Sequence, residues 1–138
     1  MMKEFVNLAK FLFAVALAVG AASCNHLTDE AKEIIGNYYI NEISDRVPLM
    51  ELNSNGTAVY RTIKPEVLTI SAEAEWNVVG DSLTFDIDQS KVAFDGDSTL
   101  VGRIPAHIAK RVVAHDEWTL TLEQNGVHYV YYRRNSEK

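Results

Sequence analysis

The sequence predicts an all-β domain that is built as a sandwich or a closed barrel. Apolar and polar residues alternate along most of the chain between residues 37 and 134, which is the pattern of strands with one buried face. Turn-forming residues interrupt the alternation at short intervals. Two of these interruptions, Gly80-Asp81 and Asn125-Gly126, are typical of tight antiparallel hairpins.

The first 23 residues have the pattern of a secretory leader. Lys3 and Lys10 give it a mildly basic start, and residues 11–22 are apolar. A membrane-spanning helix needs about 20 apolar residues. A run of twelve residues followed by small side chains therefore indicates a signal peptide, and we expect residues 1–23 to be removed.

The stretch Ala21-Ala22-Ser23-Cys24 resembles the lipobox of bacterial lipoproteins, in which the cysteine carries the lipid. Cys24 is the only cysteine in the chain, so it cannot form an internal disulfide. The alternative is a free thiol, which would be a liability in an oxidising compartment. We expect a lipidated Cys24 that holds the protein at the outer membrane, on the periplasmic side.

The part of the chain that follows the leader has room for one domain. The leader contains two of the 13 Lys and Arg residues and one of the 19 Asp and Glu residues, which leaves 11 basic and 18 acidic residues. The formal charge of this part is therefore −7. Because such a surface repels phosphate groups, we expect no nucleic-acid partner.

Residues 24–35 are expected to form a lipidated tether and a helix of about two turns. Thr28 is suited to cap this helix, Asp29 and Glu30 lie in its first turn, and Gly36 follows its end. Residues 36–138 form the β domain. We place its strands at residues 37–43, 48–52, 57–63, 68–79, 82–88, 99–103, 108–114, 118–123 and 127–133.

The turn at Gly80-Asp81 sets the register of its hairpin. A two-residue turn pairs Trp76 with Phe85 and Val78 with Leu83 on one face. Because all four side chains are apolar and bulky, this face is expected to belong to the core.

The turn at Asn125-Gly126 allows two registers for the last hairpin. A two-residue turn pairs Leu120 with Tyr131, whereas a three-residue loop would place His128 and Val130 against the leucines of the preceding strand. The first register keeps the bulky residues together, and we prefer it for that reason. For the turn at residues 53–56, neither register separates the two faces, and both stay open.

Four stretches resemble the small lipocalin-like lipoproteins of Gram-negative outer membranes. They are residues 35–38 (Ile-Gly-Asn-Tyr), the turn at 52–57, the hairpin at 76–83 and the closing strand at 118–122. The resemblance implies an antiparallel up-and-down meander barrel of the lipocalin or calycin type, with about eight or nine strands and a short N-terminal helix. It also implies a cavity for a small ligand.

We expect the barrel to bind a small apolar or amphipathic ligand without catalysing a reaction. The expected cavity lining consists of bulky side chains of the barrel strands: Tyr38, Tyr60, Trp76, Phe85, Trp118, Leu120, Tyr129 and Tyr131. The alternative is a filled barrel that acts as a structural module and docks onto another protein of the cell envelope. No cofactor is expected.

Carboxylates are concentrated on the outer face of the hairpin at residues 76–83. The predicted register places Glu75 opposite Asp86 and Glu73 opposite Asp88. A weak divalent-cation site is one interpretation, and a solvated outer face is the other, which we prefer. The stretch Asp95-Gly96-Asp97-Ser98 lacks the ligand spacing of an EF-hand and is interpreted as a turn.

The histidines do not form a metal site or a catalytic group. In one extended strand, His107 and His115 would lie too far apart to share a metal ion. We expect His128 to face Glu123 across the last hairpin. His115-Asp116-Glu117 is accompanied by no nucleophile or metal motif, so we expect no enzymatic activity.

Two further hypotheses concern single residues. Arg133 opposite Trp118 suggests a cation–π pair near one end of the barrel. Ser82 and Ser98 each follow an aspartate, and each precedes Leu83 or Thr99. This arrangement resembles the acceptor motif of some bacterial periplasmic O-glycosylation systems.

Overall fold

The computed structural model describes residues 26–134 of the 138-residue chain. These residues form a closed barrel in which each of eight strands pairs antiparallel with the next and β8 pairs with β1. The predicted all-β up-and-down barrel with a short helix is therefore confirmed. The leader and Cys24 lie outside the described residues. The elements are α1 Asp29–Lys32, β1 Gly36–Tyr39, β2 Met50–Leu52, β3 Thr57–Lys64, β4 Leu68–Val79, β5 Ser82–Gly96, β6 His107–His115, β7 Thr119–Gln124 and β8 Val127–Arg134.

Helix α1 begins where the sequence predicts and covers one end of the barrel. The Thr28 hydroxyl accepts a hydrogen bond from the Ala31 amide at 3.2 Å, as expected of an N-cap. The same hydroxyl donates to the carbonyl of Val78 at 2.8 Å, which ties the helix to the end of β4. Ala31 of the helix and Ile34, which follows it, are almost fully buried. The helix has four residues, which is shorter than the expected two turns.

We call the end of the barrel that α1 covers the closed end, and the opposite end the open end. Because antiparallel strands alternate in direction, the turns at one end alternate along the chain with those at the other. The closed end carries α1 and the connections at residues 53–56, 80–81 and 116–118. The open end carries the connections at residues 40–49, 65–67, 97–106 and 125–126.

Both tight hairpins have the predicted registers. In the first, Trp76 pairs with Phe85 and Val78 pairs with Leu83. In the last, Leu120 pairs with Tyr131, so the two-residue turn was the correct choice. Asn125 has a φ of 55° and Gly126 a φ of 80°, the left-handed conformations that a tight turn of this type requires.

Strand β5 differs most from its prediction. It continues to Gly96, and residues 88–91 bulge out between Ile87, which is the register partner of Ala74, and Val92, which is the partner of Ala72. The expected pairing of Glu73 with Asp88 is therefore wrong. Asp88 instead accepts hydrogen bonds from the amide and hydroxyl of Ser90, which form a local turn inside the bulge.

The strand predicted at residues 99–103 is also not formed. Ser98–Leu100 is a single 3₁₀ turn, and the Asp97 side chain caps it by accepting a hydrogen bond from the Thr99 amide at 3.1 Å. The turn expected at residues 95–98 therefore begins only after Gly96, because Asp95 and Gly96 are still paired in β5. Residues 101–106 continue as an irregular segment to the start of β6. Strand β5 pairs with β6 only through residues 82–86, so the irregular segment takes the place of a strand beside the distal half of β5.

The barrel interior is filled from the closed end to its middle. The side chains there interdigitate at very low exposure, and the largest fully buried ones are Tyr38, Phe85, Ile34, Met50, Leu52, Leu83, Leu120 and Leu122. No helix among the described residues combines the length and apolar character that a membrane span requires.

The predicted cation–π pair between Arg133 and Trp118 is wrong. The Arg133 guanidinium carbon lies 5.6 Å from the centroid of the Tyr38 ring, and Trp118 is 60% exposed on the connection before β7. Arg133 points inward under α1, where it donates hydrogen bonds to the carbonyls of Ile35 and Asp116. The amide of Arg133 donates to the carbonyl of Trp118, as the predicted register requires, but Trp118 precedes β7, which begins at Thr119, so its side chain is not held on the inner face of the barrel.

Candidate functional site

A cavity of about 250 Å³ lies at the open end of the barrel. Its wall is made by the inner faces of β3 to β6, and its cover is the irregular segment before β6. The lining residues are Tyr60, Thr62, Lys64, Leu68, Ile70, Ala72, Ile87, Leu100, Gly102, Arg103, Ile104, Pro105 and Ile108. We call this space the main cavity.

Strand periodicity explains why the main cavity is apolar. Along β4, Leu68, Ile70 and Ala72 follow one another at every second position, so all three face the interior. Ile87 on β5 and Ile108 on β6 continue this apolar surface around the wall. The inner face of the strands is therefore hydrophobic beyond the point where the solid core ends.

Hydrogen bonds fix the segment that covers the main cavity. The Gln89 amide group donates to the carbonyl of Ile104 at 2.6 Å, and the backbone amide of Ile87 donates to the carbonyl of Ala106 at 2.8 Å. Gln89 belongs to the bulge of β5, so the bulge holds the cover in place. Leu100 remains 46% exposed at its outer edge.

A second, smaller cavity of about 180 Å³ also opens at this end. It lies against β2, β3, β8 and the connection after β1, and it is lined by Ile40, Ile43, Leu49, Met50, Tyr60, Arg61, Thr62, Ile63, Tyr129 and Tyr131. Tyr60 and Thr62 line both cavities and thus form the wall between them. The ring of Tyr60 packs edge-on against Phe85, with the ring centroids 4.9 Å apart.

An interior lysine lies where the solid core meets the cavities. Lys110 is only 8% exposed on the inner face of β6, and its Nζ atom is 5.2 Å from the centroid of the Tyr60 ring. Burial lowers the pKa of Lys110, but its interactions with Tyr131, Tyr60 and Tyr129 outweigh burial and leave this pKa above its ordinary value. Burial in turn raises the pKa of Tyr131. At neutral pH, the lysine is therefore cationic and Tyr131 is neutral.

The predicted cavity-lining residues fall into three groups. Tyr60, Tyr129 and Tyr131 come together at the open end and line cavities. Trp118 lies on the exposed connection at the closed end. The other predicted residues are buried in the solid half of the barrel: Tyr38, Trp76, Phe85 and Leu120.

Several residues of the main cavity were not predicted from the sequence. Ile70, Ile87 and Ile108 lie on strands that were predicted, and their alternation with polar neighbours was the signal that could have identified them. Arg103 lies in a segment that was expected to be a strand. Lys110 alternates with Ile108 and Val112, so the pattern places it inward although its charge suggests the opposite.

The acidic outer face forms ordinary ion pairs. Glu75 lies opposite Asp86, as predicted, and Asp86 Oδ1 lies 2.9 Å from the Nδ1 atom of His107. Glu73 lies 3.8 Å from the Nζ atom of Lys91. Within residues 26–134, no three His, Cys, Asp or Glu side chains are grouped so that they could hold a metal ion.

The last hairpin also contains the predicted histidine pair. His128 lies directly opposite Glu123, with Nε2 and Oε1 3.8 Å apart. Arg111 contacts the same carboxylate, and this contact holds the pKa of Glu123 below its ordinary value. Of the two serines proposed as glycosylation sites, Ser98 is exposed and Ser82 is half-buried, and their modification stays a prediction.

The open end of the barrel therefore contains two adjoining, largely apolar cavities, three tyrosines that line them and one buried lysine next to them. Comparisons with protein-family models, with curated proteins and with solved structures find no match to this chain.

Proposed function

We propose that the protein is a membrane-anchored, non-enzymatic lipoprotein whose barrel binds a small apolar or amphipathic ligand at its open end. The observation that carries the proposal is the main cavity, which together with the second cavity leaves the open end of the barrel incompletely filled. Its volume of about 250 Å³ lies just below the range of about 300–1,000 Å³ that is usual for ligand sites. The ligand is accordingly small, or it extends beyond the cavity into the opening.

The character of the lining supports an apolar ligand. Leu68, Ile70, Ile87 and Ile108 offer hydrocarbon surface, and transfer of a ligand onto such surface contributes about 25 cal/mol per Å² of apolar area. The few polar groups, such as the Tyr60 hydroxyl, are suited to orient a ligand. A pocket with mostly apolar walls and a few polar groups is the usual form of a small-molecule site.

The neutral fluorescent probe N-phenyl-1-naphthylamine tests this function in the purified full chain, with one of its two ring systems in the main cavity and the other in the opening. We expect enhanced emission with the wild-type protein. Ile70→Trp fills the main cavity and should abolish most of this enhancement. Val79→Trp is the matched control, because Val79 is 63% exposed at the closed end and its substitution leaves the cavity unchanged. Equal emission with both variants would contradict binding in the main cavity.

Membrane anchoring is tested separately, because Cys24 lies outside the described residues. We expect Cys24→Ser to move the protein from the membrane fraction to the soluble fraction of the envelope. Asn25→Ser changes the neighbouring residue and retains the thiol, so the protein should stay with the membrane. Membrane retention of Cys24→Ser would refute lipid anchoring.

A second function is favoured by the outer face of β8. Val130 is 42% exposed and Tyr132 is 46% exposed on β8, and Trp118, on the connection before β7, is 60% exposed next to Thr119, the register partner of Tyr132. We propose that this surface docks onto another envelope protein if the barrel binds no ligand. Affinity capture from solubilised envelope should then recover a stoichiometric partner that is lost with Tyr132→Lys and kept with Val79→Lys.

A further inference from the structure

The charged residues that line the main cavity are all basic. Lys64 and Arg103 belong to its lining, and none of the other lining residues is acidic. Lys110 adds a third positive charge behind Tyr60. This is unexpected in a chain with a formal net charge of −6, in which acidic residues outnumber basic ones by 19 to 13.

Three basic residues elsewhere in the described chain form ion pairs with carboxylates. Arg61 contacts Glu51 at 2.5 Å, Arg111 contacts Glu123, and Lys91 lies 3.8 Å from Glu73. Lys64, Arg103 and Lys110 make no ion pair with any carboxylate among residues 26–134, and the same is true of Lys32, Arg46, Arg133 and Arg134. The positive charge at the cavity is therefore not neutralised by the protein.

We infer that the ligand is a single-chain amphiphile with an anionic head group, an inference that rests on the proposed ligand-binding function. The hydrocarbon chain lies against Leu68, Ile70 and Ile108, and the head group lies at the rim between Lys64 and Arg103. Both rim side chains are exposed, so the head group keeps contact with water and avoids the cost of burying an anion. Lys110 makes the electrostatic potential of the interior more positive and favours the same head group.

The cavity volume bounds the length of the chain that it encloses. At about 30 Å³ for each water-sized group, a space of about 250 Å³ holds roughly eight heavy atoms. A longer hydrocarbon chain would have to displace Tyr60 and enter the second cavity, or extend out of the opening. A chain of eight to ten carbons, roughly, is therefore the natural probe.

The experiment compares three probes of equal chain length on the purified full chain: decanoate, decanol and decylammonium. Each probe displaces N-phenyl-1-naphthylamine below its micelle concentration. We expect decanoate to bind about tenfold more tightly than decanol, and decylammonium to bind most weakly. An increase in salt concentration from about 50 to about 500 mM should lower the affinity for decanoate and leave the affinity for decanol unchanged.

Substitutions of Lys64 and Arg103 test whether these two side chains cause the preference for decanoate. The double variant Lys64→Gln/Arg103→Gln should lose about five- to tenfold in decanoate affinity, since exposed charge pairs contribute up to about 1 kcal/mol each. Its decanol affinity should not change. Arg46→Gln is the matched control, because Arg46 is an exposed cation of an open-end connection that lines neither cavity.

The outcomes separate this inference from the proposed function. Equal affinity for the three probes, or a double variant that binds decanoate like the wild type, would overturn the anionic head group and leave ligand binding intact. Failure of every probe to bind, including N-phenyl-1-naphthylamine, would overturn both.

Discussion

The ammonium group of Lys110 lies 5.2 Å from the centroid of the Tyr60 ring, across the interior of the barrel from its own strand. Lys110 belongs to β6 and Tyr60 to β3, so this contact joins opposite walls. It lies where the filled half of the barrel ends and the cavities begin. The stability of the barrel and the shape of its cavities are therefore coupled through one aromatic ring.

Tyr60→Leu should lower the free energy of unfolding by about 2–3 kcal/mol, because it removes the cation–π contact and the edge-on contact with Phe85. Tyr60→Phe keeps the ring and both contacts, so its loss should stay below about 1 kcal/mol. Urea denaturation at neutral pH measures both values. Equal losses in the two variants would assign the interaction with Lys110 to the hydroxyl group instead of the ring.

Tyr38 should make the barrel sensitive to alkali. Burial raises the pKa of Tyr38 to about 12, and Arg133 offsets only part of this increase. Because the folded-state pKa exceeds the unfolded one of about 10, the contribution is complete below pH 10 and is lost as the pH approaches 12. The loss amounts to about 2 kcal/mol.

Tyr38→Phe tests this contribution. The variant should show a shallower fall of the melting temperature between about pH 10 and pH 12. At neutral pH, it should cost about 1 kcal/mol, because the carbonyl of Ile34 loses the hydrogen bond that it accepts from the tyrosine at 2.9 Å. Tyr39→Phe is the control and should follow the wild-type curve. If the melting temperature of Tyr38→Phe falls with pH as steeply as that of the wild type, groups other than Tyr38 cause the alkaline loss of stability.

Arg133 should be the most important basic residue for stability. Its guanidinium donates to the carbonyls of Glu33, Ile35 and Asp116, and it thereby joins the end of α1 to the connection before β7. Arg133→Met should cost about 2–3 kcal/mol, because these carbonyls lose their donors. Arg111→Met breaks an exposed pair with Glu123 and should cost less than about 1 kcal/mol. Comparable losses from thermal or urea unfolding would contradict this ranking.

Thr28 should determine whether α1 stays on the barrel. Thr28→Ala removes both the cap of the helix and the hydrogen bond to the carbonyl of Val78, at a cost of about 1–2 kcal/mol. Thr28→Ser keeps the hydroxyl and should restore most of that loss. Hydrogen exchange reports the effect locally, since the amide of Ala31 should exchange faster in the alanine variant alone. Unchanged protection at Ala31 would refute the cap.

The two hairpins could be predicted because residues next to one another in the sequence determine both the turn and the register. Gly80-Asp81 and Asn125-Gly126 favour turns by their own conformations, and the register then follows from the side chains beside them. The bulge at residues 88–91 could not be predicted in this way, since its polar sequence is equally typical of the end of a strand. Beyond this bulge, β5 continues to Gly96 instead of ending at residue 88, and residues 98–100 form a 3₁₀ turn where a strand was expected.

The candidate site was predictable only in part. Alternation identifies which side chains face inward, but it does not distinguish a filled barrel from a hollow one, so Tyr38 and Tyr60 appear equivalent in the sequence. The structure separates them, because Tyr38 is fully buried and Tyr60 lines a cavity. Lys110 was missed because a charged residue at an inward position contradicts the usual pattern, and such contradictions often mark functional positions.

The attachment of α1 to the closed end fixes the direction in which the cavity faces. Leu27 is buried there and follows Cys24 by three residues, a reach of about 10 Å even when fully extended. With the lipid on Cys24, the closed end would rest near the bilayer, and the eight residues of β8 would carry the opening about 25 Å outward. The proposed ligand would then enter the barrel from the aqueous side and not directly from the anchoring leaflet.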